Sequence, residues 1–456
     1  MVHAARLPDV TNISPLRSTP PVHTVRASRA ASVALTLALA ASAACDRNAA
    51  TSSDSPYSDV VNAVVPKLEK QLGMKFKTPP KLETKSRAEV AAFLMTQLSS
   101  ERAKTQLAGQ QGVYRVLGLV PDTLDLGALL QRLLEEQVIG YYDPATKVLY
   151  VVDGAPKALI DQTIAHELVH ALQDQYVKVD SIQGAVENAD RQAAAQAILE
   201  GQAVLNQFRL DPNIGPMLSM PGGWDRIRDV IRDGQGGMPV FASAPRAIRE
   251  GMLFPYLGGA DFVRRFIEKR PQSELLTDLP ASTKQILNDA AYFTDDKSKR
   301  DVPVEVTLPA PTTGKVAFTN TFGEFETRLV LVQHLKDEAT VRRAAGGLDG
   351  DRYALINTPQ GDAVAWATVW DSPVDAADFL DLMGDAARRR YQMGKPTIAP
   401  GATTRRFDIE ATKTHGARTV TMQMAKVDGR ALVYFLDAPA AVGEGLIDFK
   451  RVTLGH

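Results

Sequence analysis

The stretch Ile164-Ala-His-Glu-Leu-Val-His-Ala-Leu-Gln-Asp-Gln-Tyr176 decides how this chain is read. Residues four apart share one face of an α-helix, so the imidazoles of His166 and His170 can converge on a single ion while Glu167 stands beside them, over a bound water. The run from Lys157 to Tyr176 contains neither Gly nor Pro, and Ile160, Ile164, Leu168, Ala171 and Leu172 recur at helical spacing. The expectation is a helix with one face packed and the opposite face given to metal chemistry. A surface helix carrying two histidines by coincidence is the competing reading, and it weakens because the whole chain has only seven histidines.

Downstream, Asp190-Arg-Gln-Ala-Ala-Ala-Gln-Ala-Ile-Leu-Glu-Gly-Gln-Ala-Val-Leu-Asn-Gln-Phe208 reads as a second helix. Its Gly201 costs a helix interior about 1 kcal/mol relative to Ala. A close approach of this helix to the histidine helix would compensate. Glu200, next to that glycine, is the residue best placed to be a third metal ligand; a solvated charge on an alanine-rich helix is the plainer reading. Asp180 and Glu187 are ranked below it because their surroundings are less helical.

Upstream, Leu124 to Val138 is an amphipathic stretch ended by Gly140, and Lys147-Val-Leu-Tyr-Val-Val152 reads as a strand introduced by the Asp143-Pro144 turn. Pro156 suits the first turn of the histidine helix. Val60, Val61, Val64, Val65, Leu68 and Leu72 mark a first helix that Pro66 kinks or ends, and Ser86-Arg-Ala-Glu89 has the form of a capping box before another.

His166-Glu-Leu-Val-His170, followed by a helical Ala197-Ile-Leu-Glu-Gly-Gln-Ala203, resembles the gluzincin metallopeptidases. The metzincin pattern fails, since it needs Gly at 173 and His at 176, where the chain has Gln173 and Tyr176. The resemblance implies one Zn2+ held by His166, His170 and Glu200, with Glu167 as the general base toward water. Glu167 would then return the proton to the leaving amine of a peptide substrate. An oxyanion donor is expected, with Tyr256 and Tyr142 as the choices. The strand before the histidine helix would hold extended substrate by edge pairing, by analogy. One departure stands out: thermolysin-like members carry an Asp four residues after the ligand Glu, and this chain has Val204 there. Asp174 either orients a ligand histidine in its place or faces solvent near the helix end. Phe254-Pro-Tyr-Leu-Gly-Gly-Ala-Asp-Phe-Val263 and Pro280-Ala-Ser-Thr-Lys-Gln-Ile-Leu287 are similar to segments of bacterial lipoprotein metallopeptidases, a likeness running from about Glu135 to Tyr292. Weaker echoes lie at Ala345 to Tyr353 and Trp370 to Phe379.

The rest of the chain bounds the setting. Its 456 residues allow two domains, and a net charge of -1 without a long basic run disfavours nucleic acid as a partner. The only cysteine, Cys45, excludes an intrachain disulfide and a Cys-rich zinc finger. Arg26 and Arg29 precede the apolar run Ala30 to Ala44, and Cys45 follows at once. This resembles a bacterial lipoprotein signal, with Ser42 where Leu is usual, and implies a lipid anchor on Cys45 in the cell envelope, facing the periplasm from the inner membrane. An ordinary cleaved signal is the alternative. Residues 1–24 fit no such signal, which sets the expected start near Val25.

The expected organisation is therefore an extension and lipoprotein-type signal at 1–45, a flexible tether at 46–56, a zincin-like catalytic domain at 57–300 and a C-terminal α+β domain at 301–456. The fold class is α+β: a mainly helical zincin-like metallopeptidase domain followed by a smaller α+β domain. In the latter, Val302 to Leu308, Arg352 to Ile356, Ala363 to Trp370, Thr419 to Met424 and Ala431 to Leu436 read as strands, and Phe325 to Leu335 and Val374 to Tyr391 as helices. His334, His415 and His456 form no spaced ligand cluster there. Two functions compete: a zinc metallopeptidase acting outside the cytoplasm, and a non-catalytic envelope lipoprotein that uses the same scaffold to bind a partner.

Overall fold

The computed structural model describes residues 57–455 apart from 178–186, 235–236, 272, 395–398, 400 and 414. Cys45, the signal-like segment, the tether, Asp180 and His456 lie outside the described residues. Helix α1 (Ser58–Leu72) runs through Pro66 as one helix and ends at Gly73, whose positive φ closes it. Strand β1 (Lys81–Lys85) leads into α2 (Arg87–Leu98), where the Ser86 side chain accepts from the Glu89 N–H and Glu89 accepts from the Ser86 N–H. Helices α3 (Glu101–Val116) and α4 (Leu126–Gln137) follow, the latter capped by Asp125. Strands β2 (Gly140–Asp143) and β3 (Val148–Val152) then lead to α5 (Lys157–Tyr176).

The first sheet has the order β1-β3-β2, with β1 parallel and β2 antiparallel to β3. All five residues of β3 are buried because both of its faces are covered. Val148, Tyr150 and Val152 face a cluster with Val90, Leu94 and Leu134, while Leu149 and Val151 face Leu68 of α1 and Ile160, Ile164 and Leu168 of α5. Being central, β3 has both edges paired, so the edge pairing expected of it by analogy is not open to a substrate there. The β1 segment went unread because three of its five residues are charged and only Leu82 is buried.

Every residue of α5 from Thr163 to Gln173 is buried, so the face that carries the histidines is enclosed as fully as the face of Ile160, Ile164 and Leu168 that packs on β3. Helix α6 (Ala189–Leu210) begins at Asn188, whose side chain accepts from the Arg191 N–H, and is buried from Ala194 to Phe208. Gly201 is required by close packing, but not against α5. A Cβ there would overlap the backbone of Gly259 and Ala260 in the helix Arg246–Lys269, and one on Gly259 would overlap Ala197. Two glycines thus let these helices touch backbone to backbone. The Asp211–Gly223 stretch, read as loop, contains one helical turn at Gly215–Leu218 and leads into the helix Gly223–Gly234.

Beyond residue 300 the chain forms a two-stranded ribbon of β4 (Val306–Thr307) with β11 (Thr453–Leu454), and a six-stranded antiparallel sheet. The sheet comprises β5 (Lys315–Asn320), β6 (Leu348–Thr358), β7 (Gly361–Trp370), β8 (Thr404–Ile409), β9 (Arg418–Val427) and β10 (Arg430–Pro439), in the order β5-β6-β7-β10-β9-β8. The predicted strand at Val302 to Leu308 shrinks to the two residues of β4, while β5, β8 and the helix Glu338–Ala345 were not anticipated. Helices Gly323–Leu335 and Pro373–Arg390 pack against this half, and residues 300 and 301 mark a change in secondary structure rather than a break in the core. Val113, Leu133, Ile198, Phe262 and Ile286 belong to the same buried cluster as Phe322, Trp366, Phe379 and Phe435. The architecture is mixed α+β, and its helical half positions the histidines.

Candidate metal centre

His166 and His170 project from α5, and Glu200 from α6, toward one point. The three ligand atoms form a nearly equilateral triangle: Nε2 to Nε2 is 3.1 Å, and Glu200 Oε2 lies 3.2 Å from His166 Nε2 and 3.5 Å from His170 Nε2. Glu167 and these three residues are all 0% exposed. Such burial is costly for charged and polar groups unless something compensates.

The outer ring nitrogens bear on what the three could hold. Gln173 Nε2 donates to the Leu199 carbonyl and to Gln202 Oε1, which fixes its amide orientation and leaves Gln173 Oε1 to accept from His170 Nδ1 at 2.8 Å. His166 Nδ1 likewise faces Gln207 Oε1 at 3.2 Å. A neutral imidazole that donates through Nδ1 presents a lone pair at Nε2. With both imidazoles donating through Nδ1, two nitrogen lone pairs and a carboxylate oxygen face one another, a set that a cation between them would satisfy. Burial pushes the His166 pKa down, although Glu200 opposes the shift, which disfavours an imidazolium as that cation. Ligand distances of about 2.0–2.2 Å around a tetrahedral zinc ion place neighbouring ligand atoms roughly 3.3–3.6 Å apart, close to the observed triangle. The donor set fits the metal.

Glu167 shares the enclosure without joining the triangle. Its Oε2 accepts from the backbone N–H of Tyr142 at 2.9 Å, and its Oε1 is buried with no hydrogen bond among the described residues. Burial first, and the Glu200 charge second, push its pKa well above the usual carboxylate range, with the Tyr142 N–H opposing. A carboxylate so placed readily holds a proton.

The remaining predicted residues separate. Asp174 neither meets a histidine nor faces solvent: its side chain is 8% exposed and accepts from Tyr142 Oη at 2.8 Å and from Lys147 Nζ at 2.6 Å, and the side chains against the outer histidine nitrogens are Gln173 and Gln207. Tyr142 contributes to the centre through its main chain. Tyr256, fully buried, stacks on His166 with ring centroids 6.1 Å apart. Glu187 is exposed and stands ahead of α6. Gln173 was missed although it lies in the quoted stretch three residues after His170, the spacing at which helical side chains meet. Gln207 was missed too; nothing short of the α5–α6 packing reveals it.

A second group, Asp301, Asp349 and Asp371, has carboxylates close enough to share an ion. Lys284 Nζ reaches Asp301 at 2.5 Å and Asp371 at 2.8 Å, and Arg430 bonds Asp349. Its positive charge is built in.

Comparison with known proteins reaches only the other half of the chain. Residues 312–441 match a domain of unknown function, DUF8575. That span runs from just before β5 through β10, so it covers the sheet and leaves α5 and α6 outside. No curated protein and no solved structure matches the chain.

Proposed function

We propose that the protein is a zinc-dependent metallopeptidase of the gluzincin type, with a zincin-like helical half and His166, His170 and Glu200 as the ligands. The observation that carries the reading is the meeting of two buried imidazoles and a buried carboxylate, each imidazole with its outer nitrogen on a glutamine amide oxygen, next to a second carboxylate whose Oε1 has no hydrogen bond among the described residues. When bound, zinc supplies Lewis-acid chemistry, polarising a carbonyl and making a neighbouring water more acidic. Glu167 takes the proton from that water through Oε1, while its Oε2 stays on the Tyr142 N–H, which fixes the carboxylate plane. It returns the proton to the departing amine. Gln173 and Gln207 hold the imidazoles in the tautomer that ligates. Of the two tyrosines, Tyr256 is preferred as the donor to the developing oxyanion because its ring lies against His166. The lipoprotein-type signal supports a location in the envelope with Cys45 as the anchor. Among the described residues no helix is long and apolar enough to cross a membrane.

The complete burial of the four residues favours a second reading, in which the metal is structural and the protein binds a partner without hydrolysis. Glu167→Gln separates the two. Under the peptidase reading the variant keeps stoichiometric zinc and loses about a hundred- to ten-thousand-fold in peptide hydrolysis. Metal analysis and mass spectrometry of unstructured substrates measure both. Cleavage by the variant at the wild-type rate defeats the mechanism, and cleavage by neither protein transfers the case to the structural reading.

A further inference from the structure

A cavity of about 210 Å³ lies between α3, α6, the helix Arg246–Lys269 and strands β5 and β6. This is many times the roughly 10–15 Å³ that accommodates one water. It is aligned with the metal centre along two helices. On α6, the lining residues Ala189, Gln192, Ala193 and Gln196 share one face with Glu200, following helical spacing, and Gln196 is one turn, about 6 Å, from the ligand. On the neighbouring helix, Ile248 and Met252 lead at four-residue intervals to Tyr256, which stacks on His166.

The lining chemistry is one-sided. Among the described residues that line it, Gln106, Gln110, Gln192, Gln196 and Asn320 carry neutral amides, Glu326 is the one carboxyl group, and there is no Lys or Arg. Glu326 comes from the helix Gly323–Leu335, and its hydrogen bond among the described residues is from Tyr114 Oη at 3.0 Å. It sits deep in the protein yet stays partly accessible because it faces the cavity. Burial, followed by the Asp351 and Asp190 charges, pushes its pKa up to about 8 against the Tyr114 bond. An arriving ammonium or guanidinium would reverse that balance and gain a charge-assisted hydrogen bond.

We propose that this cavity is a specificity pocket for a lysine or arginine side chain of the peptide, with Glu326 as the counter-ion and the amides of α3 and α6 as its hydrogen-bonding wall. That the ligand is a peptide rests on the metallopeptidase reading. The pocket itself rests on the cavity and its chemistry. Aliphatic residues such as Leu107, Leu130 and Met252 line the same space and suit the methylene stem of a long basic side chain.

The test uses two peptides identical except for lysine or norleucine at one position, scanned along the sequence. Binding is measured on the full, zinc-loaded chain carrying Glu167→Gln, and kcat/KM on the wild type. At one position the lysine peptide is expected to be favoured roughly ten- to a hundred-fold, the range of a charge-assisted bond. Adding Glu326→Gln should bring the ratio toward one. Gln192→Lys, at a partly exposed lining position, places an ammonium in the space and should likewise bring the ratio to one or below, and it serves if Glu326→Gln does not fold. Equal affinity for both peptides at every position, or a preference that survives both variants, overturns the pocket. Cleavage without charge preference defeats this proposal alone. Lysine preference in binding without cleavage supports the pocket while the peptidase reading fails.

Discussion

The two groups of converging acceptors differ in where their positive charge comes from. At Asp301, Asp349 and Asp371 the chain supplies it: Lys284 lies among the carboxylates and Arg430 bonds the third. Burial works against the Lys284 ammonium, and the hydrogen bonds it donates to Asp301 and Asp371 outweigh it, so its pKa is raised. At His166, His170 and Glu200 the outer ring nitrogens face the amide oxygens of Gln207 and Gln173, while the inner ring nitrogens and the carboxylate face one another. Proximity of ligand-type residues is common to both groups. The histidine centre is set apart by the glutamine amides behind its two imidazoles, and that contrast is what supports the proposal of an external cation there.

The largest effect that can break this contrast is at Glu200. Glu200→Ala removes one of three ligands and leaves two histidines, which hold zinc far more weakly; retained affinity should fall by about a thousand-fold or more. Asp301→Ala should leave zinc content unchanged. Zinc titration with a competing chelator measures both, and stoichiometric zinc in Glu200→Ala would dismiss the assignment of α6.

A smaller effect is expected at Lys284, the internal cation. Lys284→Met leaves Asp301 and Asp371 facing each other without their ammonium, but those carboxylates are 25% and 45% exposed, so solvent screens part of the loss. A destabilisation of about 1–3 kcal/mol follows, below the cost of orphaning a fully buried charge. Urea unfolding of the purified chain gives the value. Uptake of a divalent ion by the variant at this trio, restoring its stability, would show that the two groups are interchangeable and would collapse the contrast.

Much of this was legible because the local rules coincided with the tertiary outcome. The histidine helix, the glutamate helix, the capping box at Ser86 and the strand at β3 are each announced by spacing or by capping chemistry that neighbouring residues carry themselves. Strand β8 stayed hidden although its burial alternates strictly, because one inward position is Arg405, held by Asp381, and an inward arginine breaks the apolar pattern. Strand β5 is largely exposed at the edge of its sheet and carries no pattern to read. Gly201 announced a close approach correctly but could not say to which helix, since a glycine records contact and not the identity of the partner. Asp174 looked like the orienting group because carboxylates often hold ligand histidines; the amides of Gln173 and Gln207 take that role, and an amide's part depends on which atom its other neighbours require.

Gln173→Leu tests that last point with the smallest expected effect. Leucine has nearly the same volume and keeps the helix, but it removes the acceptor that fixes His170 Nδ1 as the donor. The imidazole then loses the restraint on its tautomer and ring orientation, and zinc affinity should fall about ten- to a hundred-fold. This is roughly 1.4–2.7 kcal/mol. Gln173→Glu provides the control: its carboxylate can accept from Nδ1 more strongly, so affinity should be largely retained despite the loss of the donors to Leu199 and Gln202. If leucine and glutamate weaken binding equally, Gln173 acts by tying α5 to α6. A loss confined to leucine shows that the hydrogen bond to His170 is what the centre requires, and that the outward bonds distinguish a metal site from a cluster of like-minded acceptors.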